Sequence, residues 1–381
     1  PPVTIVLIIV FNGLGNVINY FFQGKYNIFL QAEGKEYIKT ALLMFTNVLR
    51  NVAKIVLISY GMDVVFVQAI AMVISLIQMI YITYYIHKNY KWIDLKVVPD
   101  FKAISQSKNV LVHQFSYLIF NNTDTIILTL FCGLKTVSVY AMYTMLFSMI
   151  STALSTVSGS VTFVLGQTFH NNRESFLKYY DCYELYYMTL VFFLYSVANF
   201  FILPFMACYT RGVTDIEYLD KYLPSLFILT YLLTGGRSAC TQVVNFAGHF
   251  RQTQSRAIIE SIINLAMSLI CVHYFGIYGV LFGTILTLLY RTNDLIFYAN
   301  KKILCRTVWI TYKRWIINLM IYILIVIVNQ HISWELTSYK SIILYCIPYG
   351  ILTGMFYFGI ASLSEPETAK YAFALLKKKI T

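Results

Sequence analysis

Apolar stretches long enough to cross a lipid bilayer recur along the whole chain. Because a transmembrane helix needs about 20 mostly apolar residues, each stretch predicts one span. Apolar residues make up 58% of the chain and charged residues only 12%, and the short loops leave no room for a soluble domain. The sequence therefore predicts an all-α, polytopic transmembrane helix bundle. Its 11 predicted spans are residues 3–22, 41–60, 64–86, 111–132, 137–165, 182–206, 224–246, 257–275, 277–299, 316–329 and 341–362.

The basic residues are distributed unevenly over the predicted loops. The net charge of +12 would suit nucleic-acid binding. If the loop after the first span is cytoplasmic, however, most lysines and arginines lie in cytoplasmic loops, as the positive-inside rule requires. This asymmetry predicts a cytoplasmic C-terminus and no nucleic-acid partner. Four basic residues fall inside predicted spans instead: Arg50, Lys54, Arg237 and Arg291.

Residues 31–90 and 245–304 share one order of elements: a loop, a helix, a glycine turn and a second helix. Three residue pairs have the same offset of 214 positions: Gly34 and Gly248, Tyr84 and Tyr298, and Lys88 and Lys302. Hairpins of this kind also resemble one another by chance. Many transporters are nevertheless built from internal repeats, and a repeat is the interpretation that carries functional meaning.

A repeat would divide the chain into four parts. Residues 1–90 would be the last three helices of a first lobe, and residues 91–110 a cytoplasmic loop between lobes. Residues 111–304 would form a six-helix second lobe, and residues 305–381 two peripheral helices with a basic cytoplasmic tail. The chain enters a span directly after Pro1 and has no initial methionine, so we expect three helices to precede it.

Polar residues form stripes at helical spacing on several spans. Glu260, Asn264 and Ser268 recur every four residues, so they share one helix face. Similar stripes run along two other spans: Thr284, Thr287, Arg291 and Asp294, and Gln114, Tyr117, Asn121 and Asp124. A charge at the bilayer centre costs about 2.5–3.5 kcal/mol on insertion scales, so such residues normally face a bundle interior or a wet cavity. The stripes predict a polar lumen.

The basic residues within the spans have two interpretations each. Arg50 and Lys54 are four residues apart and repel each other, which favours an anion-attracting wall over an internal ion pair with Asp124 or another acid. Arg237 follows Gly235–Gly236, which can loosen a helix beside a cavity. The planar guanidinium group of Arg237 would bind phosphate oxygens well. Alternatively, it would donate hydrogen bonds to the backbone carbonyl groups that the loosened helix leaves free. Gln242, five residues further on, is a candidate for the same lumen.

The acidic residues within the spans are candidates for ion coupling. Asp124 lies near the middle of a span without a basic neighbour in sequence, which makes it the best candidate for a proton or cation site. Asp294 is three residues after Arg291, and Glu260 is four after Arg256, so either acid can instead be neutralised by that pair.

The sequence carries none of the catalytic signatures GxSxG and HExxH, and no nucleotide-binding loop. We therefore expect a protein that is not an enzyme, without a cofactor or a metal site. A membrane glycosyltransferase or polysaccharide polymerase is the alternative from a different class, but such enzymes need a larger outer loop than residues 207–223. A multidrug exporter would favour acidic over basic residues in its lumen.

Three segments and one loop resemble polysaccharide flippases of the Wzx type. These flippases form the polysaccharide-transport branch of the multidrug, oligosaccharidyl-lipid and polysaccharide exporter superfamily. The segments are NNTDTIILTLFCGLKTVSVYAMY (121–143), GGRSACTQVVNFAGHFRQTQSRAIIESIINLAMSL (235–269) and GIYGVLFGTILTLLYRTNDLIFYANKKIL (276–304), and the loop is LQAEGKEY (30–37). The resemblance covers nearly the whole chain and implies a 14-helix fold of two six-helix lobes and two peripheral helices, here without the first three helices.

The resemblance also implies a function. Members flip undecaprenyl-diphosphate-linked oligosaccharides from the cytoplasmic to the outer leaflet of the bacterial inner membrane by alternating access. The partners would be this lipid-linked oligosaccharide, membrane lipids, a polysaccharide polymerase and chain-length proteins. A multidrug exporter or another lipid-diphosphate exporter of the same fold remains the alternative. The lumen residues that would bind substrate are Arg50, Lys54, Arg237, Arg291, Asn121, Gln242 and Asn264, and the ion-coupling candidates are Asp124, Glu260 and Asp294.

Overall fold

The computed structural model describes residues 2–18, 21, 23–93, 105–332, 334 and 336–380. These residues are almost entirely α-helical, and no β-strand occurs among them. The helices are α1 Pro2–Ile18, α2 Gly24–Ala32, α3 Glu36–Ser59, α4 Val64–Asn89, α5 Ser107–Phe131, α6 Leu134–Asn171, α7 Arg173–Tyr209, α8 Leu223–Gly236, α9 Ser238–Phe246, α10 Phe250–Phe275, α11 Ile277–Tyr298, α12 Trp309–Asn329, α13 Tyr339–Ser364 and α14 Pro366–Ile380. A π-helical segment, Ala299–Leu304, continues α11.

The predicted helical membrane fold is confirmed. Within the described residues, eight helices are long and apolar enough to cross a membrane: α3, α4, α6, α7, α10, α11 with its π-helical segment, α12 and α13. The three other predicted spans correspond to α1, to α5, and to the pair α8 and α9. The sequence did not predict the short helices α2 and α14, because neither is apolar enough to signal a span. The chain is a multi-pass membrane protein.

The chain divides into two compact units, Pro1–Asp100 and Phe101–Thr381. In the first unit, α4 packs against α1 and α3. Buried hydrogen bonds link three segments of this unit: Thr46 Oγ1 donates to Gln78 Oε1 (3.1 Å), and Gln78 Nε2 donates to Gln23 Oε1 (3.3 Å). Side-chain hydrogen bonds of this kind hold helices together where lipid offers no hydrophobic driving force. The predicted interlobe loop, residues 91–110, includes residues 94–104, which lie outside the described residues.

In the second unit, α7 lies at the centre of the largest apolar core. Its Phe192 and Tyr195 are buried together with Phe147 of α6 and Phe227 of α8. The helices α12, α13 and α14 pack on α7 as well. A polar cavity in the same unit is lined by residues of α5, α6, α8, α9, α10 and α11.

The helices α10 and α11 form the most extensive helix–helix contact among the described residues of the second unit. A single residue, Gly276, connects them, and its φ of 55° is in the region that favours glycine. Gly279 and Gly283 then face α10, where a Cβ atom on Gly283 would lie 2.6 Å from the backbone nitrogen of Ser268. This Gly-xxx-Gly spacing allows two backbones to approach each other. Gly61, at the matching turn between α3 and α4, has a φ of 72°, while the internal repeat itself stays a prediction.

A buried ion network joins α7 to the peripheral helices. Glu184 of α7, which is fully buried, accepts hydrogen bonds from Arg306 Nη2 (2.6 Å), Thr311 Oγ1 (2.8 Å) and Arg314 Nη1. Arg314 also donates to Glu365, between α13 and α14, at 2.7 Å and 2.8 Å. Buried charges need such partners because each isolated charge would be costly to desolvate. The network anchors α12 and the α13–α14 junction to the second unit.

Candidate functional site

A cavity of about 840 Å³ lies within the second unit. Its wall combines charged, amide and hydroxyl groups with aromatic rings. The polar faces predicted for spans 111–132, 224–246, 257–275 and 277–299 all contribute to it, because their helices surround the same space. The polar face of span 41–60 belongs to the first unit, so a single cavity for all five faces stays a prediction.

Five charged residues form a continuous chain of ion pairs at one side of the cavity. Glu260 Oε1 accepts from Arg237 Nη1 (2.7 Å), and Glu260 Oε2 accepts from Arg291 Nε (3.1 Å). Arg291 Nη1 also donates to Asp294 Oδ2 (2.6 Å), and Arg256 pairs with the other oxygen of Asp294. Three arginines therefore share two carboxylates. Arg237, Glu260 and Arg291 line the cavity, whereas Arg256 and Asp294 do not.

The pairing in this chain differs in part from the sequence expectation. Arg291 and Asp294 do pair, three residues apart on α11. Glu260 does not pair with Arg256, four residues before it on α10, because Arg256 reaches across to Asp294. The charges are mostly enclosed: the side chains of Arg291 and Glu260 are 8% and 12% exposed. In such surroundings an arginine fork interacts strongly with any oxyanion that reaches it.

Arg237 is positioned by a break between two helices. α8 ends at Gly236, and α9 begins at Ser238. The two glycines before Arg237 allow close packing: a Cβ atom on Gly235 would lie 2.8 Å from Val191, and one on Gly236 would lie 2.2 Å from Trp315. The predicted loosening of the helix is confined to this single residue. Because residues 235 and 236 have no side chains, the end of α8 can pack directly against α7 and α12, and Arg237 lines the cavity.

Asp124 occupies a separate polar position at the cavity wall. It is buried and accepts hydrogen bonds from Tyr140 OH (2.9 Å) and Thr284 Oγ1 (2.9 Å and 3.0 Å). Asn264 Nδ2 donates to Thr284 Oγ1 (3.0 Å), so α5, α6, α10 and α11 meet at this point. Among the described residues, Asp124 forms no ion pair, and the buried oxygen Oδ1 of Asn264 has no hydrogen-bond partner.

The remaining predicted site residues do not all lie at the cavity. Asn121 lines the cavity. Asn264 is fully buried and does not line the cavity. Gln242 does not line it either, and its Nε2 donates to Ser158 Oγ (2.5 Å) and Tyr183 OH (3.3 Å). Arg50 and Lys54 belong to the first unit. Arg50 Nη2 donates to Asn47 Oδ1 (2.9 Å), and within the described chain neither residue forms an ion pair.

Several cavity residues escaped the sequence prediction. Thr230, Tyr231 and Thr234 of α8 line the cavity together with Tyr140 of α6. The spacing of Thr230 and Thr234 is one helical turn, which could have signalled a polar face. These residues lack charge, however, and stand in one of the most apolar segments of the chain. A hydroxyl group is inexpensive to bury when it donates to its own helix, as Thr230 Oγ1 does to the carbonyl oxygen of Leu226 (3.0 Å).

The chain was compared with known families, proteins and structures. No family model and no curated protein matches it. Among solved structures, it is similar to the lipid II flippase MurJ in an inward closed conformation, with a TM-score of 0.59 and 15% sequence identity. The match covers 94% of this chain and 84% of that chain. The protein therefore has the helical fold of this flippase.

Proposed function

We propose that the protein is a secondary transporter that flips undecaprenyl-diphosphate-linked oligosaccharide, a polysaccharide repeat unit, from the cytoplasmic to the outer leaflet by alternating access. The fold supports movement of a lipid-linked precursor, because the structural neighbour is named as a lipid II flippase. The observation that carries the proposal is the pair Arg237 and Arg291, both facing a cavity of about 840 Å³ within that fold.

The chemistry of the cavity fits the two parts of such a headgroup. A diphosphate is a dense oxyanion, and an arginine fork binds phosphate oxygens with paired hydrogen bonds. An oligosaccharide is neutral and rich in hydroxyl groups, so it needs hydroxyl and amide partners and aromatic faces. The wall provides these through Ser151, Thr152, Asn121, Tyr117 and Tyr231. The wall therefore offers partners for both parts of the headgroup.

The charge balance disfavours the multidrug exporter of the same fold. A cavity for cationic drugs would present an excess of carboxylates, but this cavity is lined by two arginines, Arg237 and Arg291, and two carboxylates, Asp124 and Glu260. The resemblance to Wzx-type flippases supports a polysaccharide repeat unit rather than another lipid-diphosphate as the substrate. An enzymatic alternative gains no support from the arginines and Glu260 of the cavity, which are paired with one another.

We assign ion coupling to Asp124. Its carboxylate lies among the hydroxyl groups of Thr284 and Tyr140, near the unpartnered oxygen of Asn264. Carboxylate, amide and hydroxyl oxygens are the ligands that hard cations prefer, and a lone buried carboxylate also suits a proton. Binding of either cation would neutralise a charge at the junction of four helices. Such a change is able to bias one arrangement of those helices over another.

The function is tested by measuring flipping of a fluorescent undecaprenyl-diphosphate-linked oligosaccharide in proteoliposomes. Arg237→Ala and Arg291→Ala should each lower the flipping rate at least about 10-fold, as expected for loss of a charge-assisted contact to phosphate. Arg237→Lys keeps the charge but not the fork, and should give an intermediate rate. Arg211→Ala is the matched control, because Arg211 is exposed and outside the cavity. Wild-type rates in both alanine variants would refute the proposal.

The coupling assignment has its own arm in the same assay. Flipping by wild-type protein should respond to an imposed proton or sodium gradient, and Asp124→Asn should remove that response. An unaltered response to both gradients in Asp124→Asn would exclude Asp124 as the coupling site.

A further inference from the structure

The carboxylate of Glu260 bridges the two cavity arginines in the way that a phosphate group would. One oxygen accepts from Arg237, which stands between α8 and α9, and the other accepts from Arg291 of α11. All three side chains line the cavity, so a ligand that enters it meets the arginines with Glu260 already bound to them. The oxyanion site is therefore occupied by an internal anion.

The other charges around Glu260 determine what would follow its departure. Arg291 keeps a second acid, Asp294, at 2.6 Å. Arg237 has no ion pair other than that with Glu260 among the described residues. Departure of Glu260 would leave one arginine unneutralised in a mostly enclosed position, which is costly unless another anion takes its place. Glu260 should therefore leave the arginines only when another anion replaces it.

We propose that Glu260 is an exchangeable internal anion. Its carboxylate binds the arginines Arg237 and Arg291 in the absence of substrate, is displaced from them by the substrate diphosphate, and binds them again when the substrate is released. This inference rests on the proposed function. A diphosphate carries more negative charge than one carboxylate, so it can displace Glu260 from both forks. Because the carboxylate remains nearby, it competes with the bound substrate and weakens its binding, as a transporter that must release its cargo requires.

The test uses the full chain in nanodiscs and measures binding of farnesyl diphosphate, with farnesol as the phosphate-free reference. Glu260→Gln removes the competing charge and keeps the side-chain shape, so it should bind farnesyl diphosphate at least about 10-fold more tightly than wild type. The same variant should flip the lipid-linked oligosaccharide more slowly, because release becomes harder. Asp294→Asn is the matched control: it removes the same charge beside Arg291, but at a residue that does not line the cavity, and should tighten binding less.

Each outcome separates the two proposals. If wild-type binding depends on Arg237 but Glu260→Gln binds no more tightly, the exchange is refuted and the proposed function stands. If Asp294→Asn tightens binding as much as Glu260→Gln, general charge and not exchange is responsible. If wild type, Glu260→Gln and Arg237→Ala all bind farnesyl diphosphate no better than farnesol, the proposed function itself fails.

A second variant guards against misfolding of Glu260→Gln. Glu260→Asp keeps the charge but is one methylene shorter, so its carboxylate cannot reach both arginines as in the wild type. It should also bind farnesyl diphosphate more tightly than wild type, by a smaller factor. Unchanged affinity in Glu260→Asp would overturn the exchange by itself.

Discussion

Replacing Gly283 with alanine should separate α10 from α11. A Cβ atom at this position would lie 2.6 Å from the backbone nitrogen of Ser268 and 2.8 Å from its Cα. Backbone atoms cannot rotate out of the way as a flexible side chain does. The two helices must therefore move apart by about 0.8 Å to reach an ordinary contact of 3.4 Å, and overpacking of this kind costs about 1–3 kcal/mol.

The same displacement would reach the Asp124 position. Thr284 is the next residue, and its hydroxyl group holds Asp124 and Asn264 at 2.9–3.0 Å. Adding about 0.8 Å to the Asn264–Thr284 distance takes it to about 3.8 Å, beyond hydrogen-bond range. Gly283→Ala should therefore weaken gradient-dependent flipping as well as stability, although residue 283 does not itself line the cavity.

The assay is thermal unfolding of the purified protein in detergent, followed by size-exclusion chromatography. The matched control is Gly350→Ala in α13, where an added Cβ atom meets nothing within 4 Å. Both variants gain about 0.8–1.0 kcal/mol of helix propensity, so their difference isolates the clash. At about 2–4 °C per kcal/mol, Gly283→Ala should unfold about 2–12 °C below Gly350→Ala. Equal unfolding temperatures would show that the helix contact is not as close as described.

Two further predictions concern the buried ion network of α7. Arg314→Met should destabilise the protein by about 3–5 kcal/mol in denaturant titrations, because it removes one of the partners of the buried Glu184 carboxylate. The control Lys178→Met, which removes an exposed ion pair, should have no measurable effect on stability. Equal losses of stability in the two variants would refute the distinction. Burial raises the pKa of Glu365, but the hydrogen bonds and charge of Arg314 outweigh it and hold the pKa below its usual 4.5. Wild type should therefore have a higher free energy of unfolding than Glu365→Gln. This difference should be complete above pH 4.5 and should shrink as the pH falls through the pKa of Glu365 in the folded protein. A difference that does not depend on pH would contradict the prediction.

The spans could be predicted from the sequence because apolar length is a local property. A helix in lipid must satisfy its own backbone hydrogen bonds and expose apolar side chains, so each span is recorded in its own residues. The helices α5 and α8 show where this signal weakens. α5 carries the polar stripe that ends at Asp124, and α8 ends at Gly236 after 14 residues. Neither helix therefore meets both the length and the hydropathy of a plain span.

The residues of the candidate site were only partly predictable. Helical spacing identifies which residues share a face, and it singled out Asp124, Glu260 and Arg291, which line one cavity in the structure. It cannot identify partners on other helices, because those depend on how helices pack. Glu260 pairs with Arg237, 23 positions away, and Gln242 does not line the cavity but donates to Ser158 and Tyr183 of neighbouring helices.

The two ion networks of the second unit illustrate how burial assigns different roles to the same residue types. Glu184 is fully enclosed and holds Arg306 and Arg314 without lining the cavity, so its charge serves the attachment of the peripheral helices. Glu260 also holds two arginines, but all three groups face a cavity, so another anion can compete for them. Removing the charge of Glu184 should therefore lower the stability of the protein. Removing the charge of Glu260 should instead tighten the binding of an anion in the cavity. The sequence alone does not separate these two acids, and only access from the cavity distinguishes them.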